Sequence, residues 1–219
     1  MKHKLHKMVA MLVASIFVVS AFAQDVKTDY TDAIKNAAAT SEDGWDKGSL
    51  SWSASKLYRG SANPLDFNQT ITLPAGKYKM TAQAAYRYAG SSDKNPTEEE
   101  HEYNQIKSGV ETHWAKLYAA TSSYTYEANV QNRWEGRSTA SLSTYGCSEI
   151  VDGEVKYYVP NATEAVVDWF KAGKYVNELV FNVQVDGEVK IGVAVNSPAN
   201  CYTNIGAWTL TRLGDAEAD

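Results

Sequence analysis

Hydrophobic and polar residues alternate with a period of two along much of the chain. Tyr78, Met80, Ala82, Ala84, Tyr86 and Tyr88 fall on one side, and Lys77, Lys79, Thr81, Gln83 and Arg87 on the other. Successive strand side chains point to opposite faces, so this pattern predicts a strand with one buried face. Leu65, Phe67, Gln69, Ile71 and Leu73 form a second set, and Leu73-Pro74-Ala75-Gly76 reads as the turn of a hairpin joining the two. Gln69, the odd member of its face, is expected as a hydrogen-bonded polar group in the core.

Farther along, Leu179, Phe181, Val183 and Val185 alternate, then Asp186-Gly187, then Val189, Ile191, Val193 and Val195. Asp-Gly between alternating runs predicts a two-residue hairpin. The hexapeptide at 185–190 recurs at 151–156, which predicts the same turn chemistry twice. A last strand is expected over 207–213 and a frayed acidic tail over 215–219. Helical spacing is confined to short stretches. Asn161 is placed to cap a segment whose Ala165, Val166, Trp169 and Phe170 share a face, and Gly173 ends it. Thr97 with Glu100 resembles a capping box opening a second short helix over 98–107. Many short strands with little helix predict an all-β fold, a two-sheet antiparallel β-sandwich (jelly roll) with one or two short helices.

The first 23 residues break this pattern. Lys2, Lys4 and Lys7 precede an apolar run from Met8 to Val19, and Ala21-Phe22-Ala23 reads as a cleavage site before Gln24. The run is too short to span a bilayer and reads as a cleaved signal peptide, predicting a secreted, periplasmic or cell-surface protein without a membrane span. The domains expected are therefore 1–23 signal peptide, 24–214 β-sandwich and 215–219 tail. Taking the leader's three Lys from the 21 Lys and Arg leaves 18 against 26 Asp and Glu, a net charge of −8. Such a balance argues against nucleic acid, which is bound by neutralising its phosphates. Cys147 and Cys201 allow a single disulfide; the alternative is two buried thiols.

Several phrases carry a resemblance. Ile34-Lys35-Asn36-Ala37 with Gly44-Trp45, Phe67-Asn68-Gln69-Thr70-Ile71 with Leu73-Pro74-Ala75-Gly76-Lys77-Tyr78, Tyr86-Arg87, Leu117-Tyr118-Ala119, Val159-Pro160-Asn161, Gly173-Lys174-Tyr175 and Ile191-Gly192 follow one another in order. Together they resemble the galactose-binding-like jelly-roll modules of secreted Bacteroidetes proteins, related in fold to carbohydrate-binding modules. The resemblance implies a sandwich over about residues 30–214, and such a sandwich hosts many roles. Those modules often carry an Asp two residues before the aromatic of the last strand; here Gly206-Ala207-Trp208 has none. The resemblance also leaves room for structural calcium, with Glu42, Asp43 and Asp46, or Asp93 with Glu98 to Glu100, as oxygen donors, although neither set has EF-hand spacing.

The residues give little support to an enzyme. Glu98, Glu99, Glu100 and Glu102 lie in a polar run with no apolar frame, no Gly-x-Ser-x-Gly elbow occurs, and only His101 and His113 follow the leader. No cofactor motif appears. Glycan recognition is the chemistry the residues fit best: a ring stacks on the C–H face of a sugar while nearby polar groups bind its hydroxyls. The first candidate is the polar loop with Arg133, Trp134 and Arg137, with Tyr124 and Tyr126 just upstream. Trp134 either plugs that loop onto the domain or offers its face to a sugar. The second places Trp45, Asp46, Asn200, Tyr202 and Asn204 at one end of the sandwich, if the first and last strands pair. A Cys147–Cys201 bridge would merge the two patches. The partner expected is a glycan or, for a structural or interaction domain of the cell envelope, a cell-surface protein.

Overall fold

Two antiparallel sheets pack face to face, and a helix with a small hairpin covers the outer face of one of them. The computed structural model describes residues 28–62, 64–88, 108–109, 113–152, 155–196 and 201–218. The leader, the helix expected over 98–107 and the donors Asp93 and Glu98 to Glu100 lie outside the described residues. In chain order the strands are β1 (Thr28–Asp29), β2 (Ser51–Ser53), β3 (Leu57–Ala62), β4 (Leu65–Leu73), β5 (Gly76–Tyr88), β6 (Ala115–Ala120) and β7 (Thr125–Asn129). They continue with β8 (Cys147–Asp152), β9 (Val155–Pro160), the helix α1 (Thr163–Lys171), β10 (Val176–Val183), β11 (Gly187–Val195) and β12 (Cys201–Gly214). The larger sheet has the order β10-β5-β12-β3-β2, with β1 also on β12; the smaller has the order β4-β11-β6-β7. The hairpin β8-β9 stands apart.

The two long hairpins expected from the sequence are not hairpins. β4 pairs with β11 and β5 pairs with β10 and β12, so the connection at 74–75 crosses between sheets. The connection at 184–186 does the same between β10 and β11. Alternation reports one buried face per strand, and that face is buried equally well in a ribbon or across a sandwich. Asp186 has a role that fits a crossing: its Oδ1 accepts the backbone N–H of Ala75 at 2.7 Å, tying the two crossings together. Neither Asp186 nor Gly187 is left-handed, as both would be in a type I′ Asp-Gly turn. The other copy of the hexapeptide does lie in a hairpin, with Val151 opposite Lys156 and Asp152 opposite Val155.

The main core lies between the sheets. It takes Phe67, Ile71 and Leu73 from β4, Tyr78, Met80 and Tyr86 from β5, and Val189, Ile191 and Val193 from β11. Gln69 is buried on this side, and its amide accepts the N–H of Lys35 (3.0 Å) and donates to the Lys35 carbonyl (3.1 Å), as a core polar group must. The last strand begins at Cys201, not at Ala207. A register shift between Ile205 and Trp208 inserts one residue, so Cys201 and Ile205 face the core before it and Trp208 and Leu210 after it. That bulge interrupts the period of two, which is why alternation alone places the strand's start too late.

A second apolar cluster lies on the outer face of the larger sheet, where Leu57 and Ala85 meet Ala165, Val166, Trp169 and Phe170 of α1. These are the residues expected on the buried face of that helix. Gly173, at φ +75°, follows its end; Gly173 N–H bonds the Phe170 carbonyl and Lys174 N–H the Trp169 carbonyl, a closing pair that needs a left-handed residue. Asn161 does not cap α1, however. Ala162 holds that position without a side-chain bond, and the Asn161 amide binds Arg133 and Ser148 instead. The acidic tail is held: Glu217 accepts Lys77 at 2.7 Å, and its N–H donates to Asn182 at 3.1 Å.

Candidate functional site

The loop that carries Arg133, Trp134 and Arg137 folds onto the sandwich. The Asn132 side chain accepts the N–H groups of Trp134 (2.9 Å) and Glu135 (3.2 Å), forming a tight polar turn. Arg133 N–H bonds the Tyr86 carbonyl at 2.9 Å, and Tyr175 Oη donates to the Arg133 carbonyl at 2.5 Å. Trp169 Nε1 donates to the Gly136 carbonyl at 3.0 Å. Trp134 is 0% exposed, so its ring presents no face to a sugar and, of the two expected roles, it takes the one that plugs the loop onto the domain. Arg137 lies 5.0 Å above the Tyr157 ring and donates to the Trp134 carbonyl at 2.9 Å. A polar sequence around a Trp does not exclude burial when the polar side chains bond the loop's own backbone.

Tyr202 and Asn204, from the second candidate, do meet Arg133, but in a very small space. Together with Arg87, Asn161 and Val166 they line a cavity of about 10 Å³, room for one water and no sugar ring. Trp45 is elsewhere. It is buried inside the sandwich, stacked on Phe67 at 4.6 Å and tilted against Trp208 at 4.7 Å. Tyr202 and Asn204 alternate with core-facing Cys201 and Ile205, so they face the opposite side of the sheet from Trp45. The expected end-of-sandwich patch is therefore split, although β1 does pair with β12 as supposed. The same geometry separates the cysteines. Cys201 packs in the main core and Cys147 against the outer cluster, with the sheet between them; both are thiols and no disulfide joins them.

Tyr124 and Tyr126 make the open surface. The β6–β7 turn is fixed by Thr121, whose N–H donates to the Tyr124 carbonyl at 2.8 Å and whose Oγ1 accepts the Tyr124 N–H at 3.0 Å. This holds the Tyr124 ring 55% exposed, with Tyr126 packed edge-on at 4.7 Å and braced behind on Phe181. On one side of the turn a groove of about 350 Å³ runs between Tyr124, Tyr126, Glu127, Leu179 and Val180. On the other, a groove of about 540 Å³ is lined by Thr70, Ser122, Ser123, Gln184, Glu188 and Lys190, with Asp186 beside them. Lys190 Nζ bonds Asp66 Oδ2 at 2.6 Å, and Tyr118 Oη donates to Asp66 Oδ1 at 2.5 Å. Burial alone would raise the Asp66 pKa, but the hydrogen bonds from Lys190 and Tyr118 and the Lys190 charge outweigh it and hold it below the ordinary value. The sequence does not announce these neighbours: Leu179 and Val180 lie on the edge strand of the other sheet, and Asp186 and Glu188 follow a crossing rather than the expected hairpin turn.

The calcium donors that fall within the described residues are engaged separately. Glu42 pairs with Lys47, Asp43 accepts from Ser41, and Asp46 accepts the Gly48 N–H at 3.2 Å. Among the described residues no group of three or more His, Cys, Asp or Glu is arranged to hold a metal ion. No described helix is long and apolar enough to cross a membrane. Comparison with protein-family models, curated proteins and solved structures finds no match.

Proposed function

We propose that this chain is a secreted, non-catalytic β-sandwich module that binds glycan on the Tyr124 surface. The observation that carries the reading is a half-exposed tyrosine on a hydrogen-bonded turn, its ring packed edge-on against Tyr126, with hydroxyl, amide and carboxylate groups lining a groove on the other side of that turn. A rigid ring loses little freedom on stacking against a sugar, and nearby polar side chains then set which hydroxyls are accepted. The acids of the two grooves are Asp186 and Glu188 on one side of the turn and Glu127 on the other. The galactose-binding-like resemblance and the signal-like leader agree with a role outside the cytoplasm.

A second reading is favoured by one feature. Val176 and Val180 of the edge strand β10 are 44% and 41% exposed, and Val185 is 68% exposed, which suits docking of a cell-envelope protein. A glycan array separates the two. Glycan binding predicts signal on at least one polysaccharide, abolished by Tyr124→Ala in a protein that still folds. A silent array refutes the glycan reading and leaves the docking reading.

A further inference from the structure

We infer that the Tyr124 surface selects neutral glycans over uronic, sialic or sulfated ones; this rests on the glycan reading above. Three carboxylates line the two grooves: Glu127 beside Tyr126, and Asp186 and Glu188 across from Ser122 and Ser123. Against them the described lining carries one cation, Lys190, and its ammonium is already engaged by Asp66 at 2.6 Å. Asp186 is fixed in place by the Ala75 N–H at 2.7 Å, so its charge cannot swing away from the groove.

The walls therefore offer mostly acceptors. An ionised carboxylate accepts hydrogen bonds and donates none. The hydroxyls of a neutral sugar donate to such walls, while its ring oxygen and further hydroxyls accept from Thr70, Ser122 and Ser123. A carboxylate or sulfate on the ligand meets like charge from these three carboxylates, and the lining's one cation is already paired with Asp66, so charge disfavours it. The two grooves flank a single turn, Tyr124 lining one and Ser123 the other.

Affinity electrophoresis tests this. The purified protein is run through gels containing xylan, mannan or an unsubstituted β-glucan, and through gels containing polygalacturonate or heparin. Retardation is expected by at least one neutral polymer, weakened about tenfold or more in Tyr124→Ala. No retardation is expected by the anionic polymers, and Glu127→Lys/Glu188→Lys is expected to gain it at low salt. Tyr124-dependent retardation by polygalacturonate or heparin alone would overturn the selection while leaving glycan binding in place. No retardation in any gel would overturn both.

Discussion

Replacing Trp134 with Ala tests whether the 130–137 loop is scaffold. The side chain is fully buried. An indole buries about 200 Å² of surface, and at about 25 cal/mol per Å² its removal costs about 5 kcal/mol before relaxation. Unfolded chains already bury part of that area, so about 3–4 kcal/mol is the working figure, within the range of measured Trp truncations. Tyr124, with its ring half exposed, should lose only about 1 kcal/mol on the same substitution. The assay is urea unfolding followed by far-UV circular dichroism, because indole fluorescence would change with the substitution itself. A shift in midpoint without a shift in slope gives the difference. If Trp134→Ala unfolds within about 1 kcal/mol of the parent, the ring is not the anchor described above, and its candidacy for ligand contact reopens.

Three further outcomes are expected. Gly136→Ala would set a methyl 2.1 Å from the Tyr175 ring, which is buried and held through its hydroxyl, so a loss of about 2 kcal/mol or more is expected in the same unfolding assay. Asn177→Ala would remove an amide that donates to the carbonyls of Ala82, Ala84 and Tyr175 and accepts Gln131 N–H; thermal unfolding should register a loss of about 3 kcal/mol, and Asn177→Asp should not restore it at neutral pH, where its carboxylate would face three carbonyls. Burial, with the nearby Tyr30, pushes the Tyr78 pKa from 10.0 to about 12, so folding favours its neutral form; that contribution is complete below pH 10 and lost as pH rises through 12, and Tyr78→Phe should flatten this part of a melting-temperature profile.

Much of the fold was legible in the residues, and the failures share a cause. Strand positions and their buried faces follow from alternation, the helix face from its spacing, and the Gln69 clasp from one polar residue on an apolar face. Pairing does not follow. Val-Asp-Gly-Glu-Val-Lys joins a hairpin at 151–156 and begins a strand after a crossing at 185–190, with every local preference identical. What differs is the available partner: β10 and β11 are each drawn to a different sheet, whereas β8 and β9 pair with each other and with neither sheet. The site divides in the same way. Tyr124 was legible as an aromatic in a polar turn, but Trp134 shared that signature and is fully buried, its loop bonded through the Arg133 and Gly136 carbonyls to Tyr175 and Trp169, partners 42 and 33 residues away in sequence that local pattern does not reveal.

The position of β12 has a kinetic consequence. It is the most C-terminal strand, yet it lies between β5 and β3 and receives β1, with Thr31 bonding Leu210 across 179 residues of sequence. The larger sheet thus lacks its middle until nearly the whole chain is available. Closing such distant ends is slow, and a chain emerging residue by residue gains little by collapsing early. A polypeptide wired this way gains its cooperative stability late, when the last strand arrives to zip the rest together.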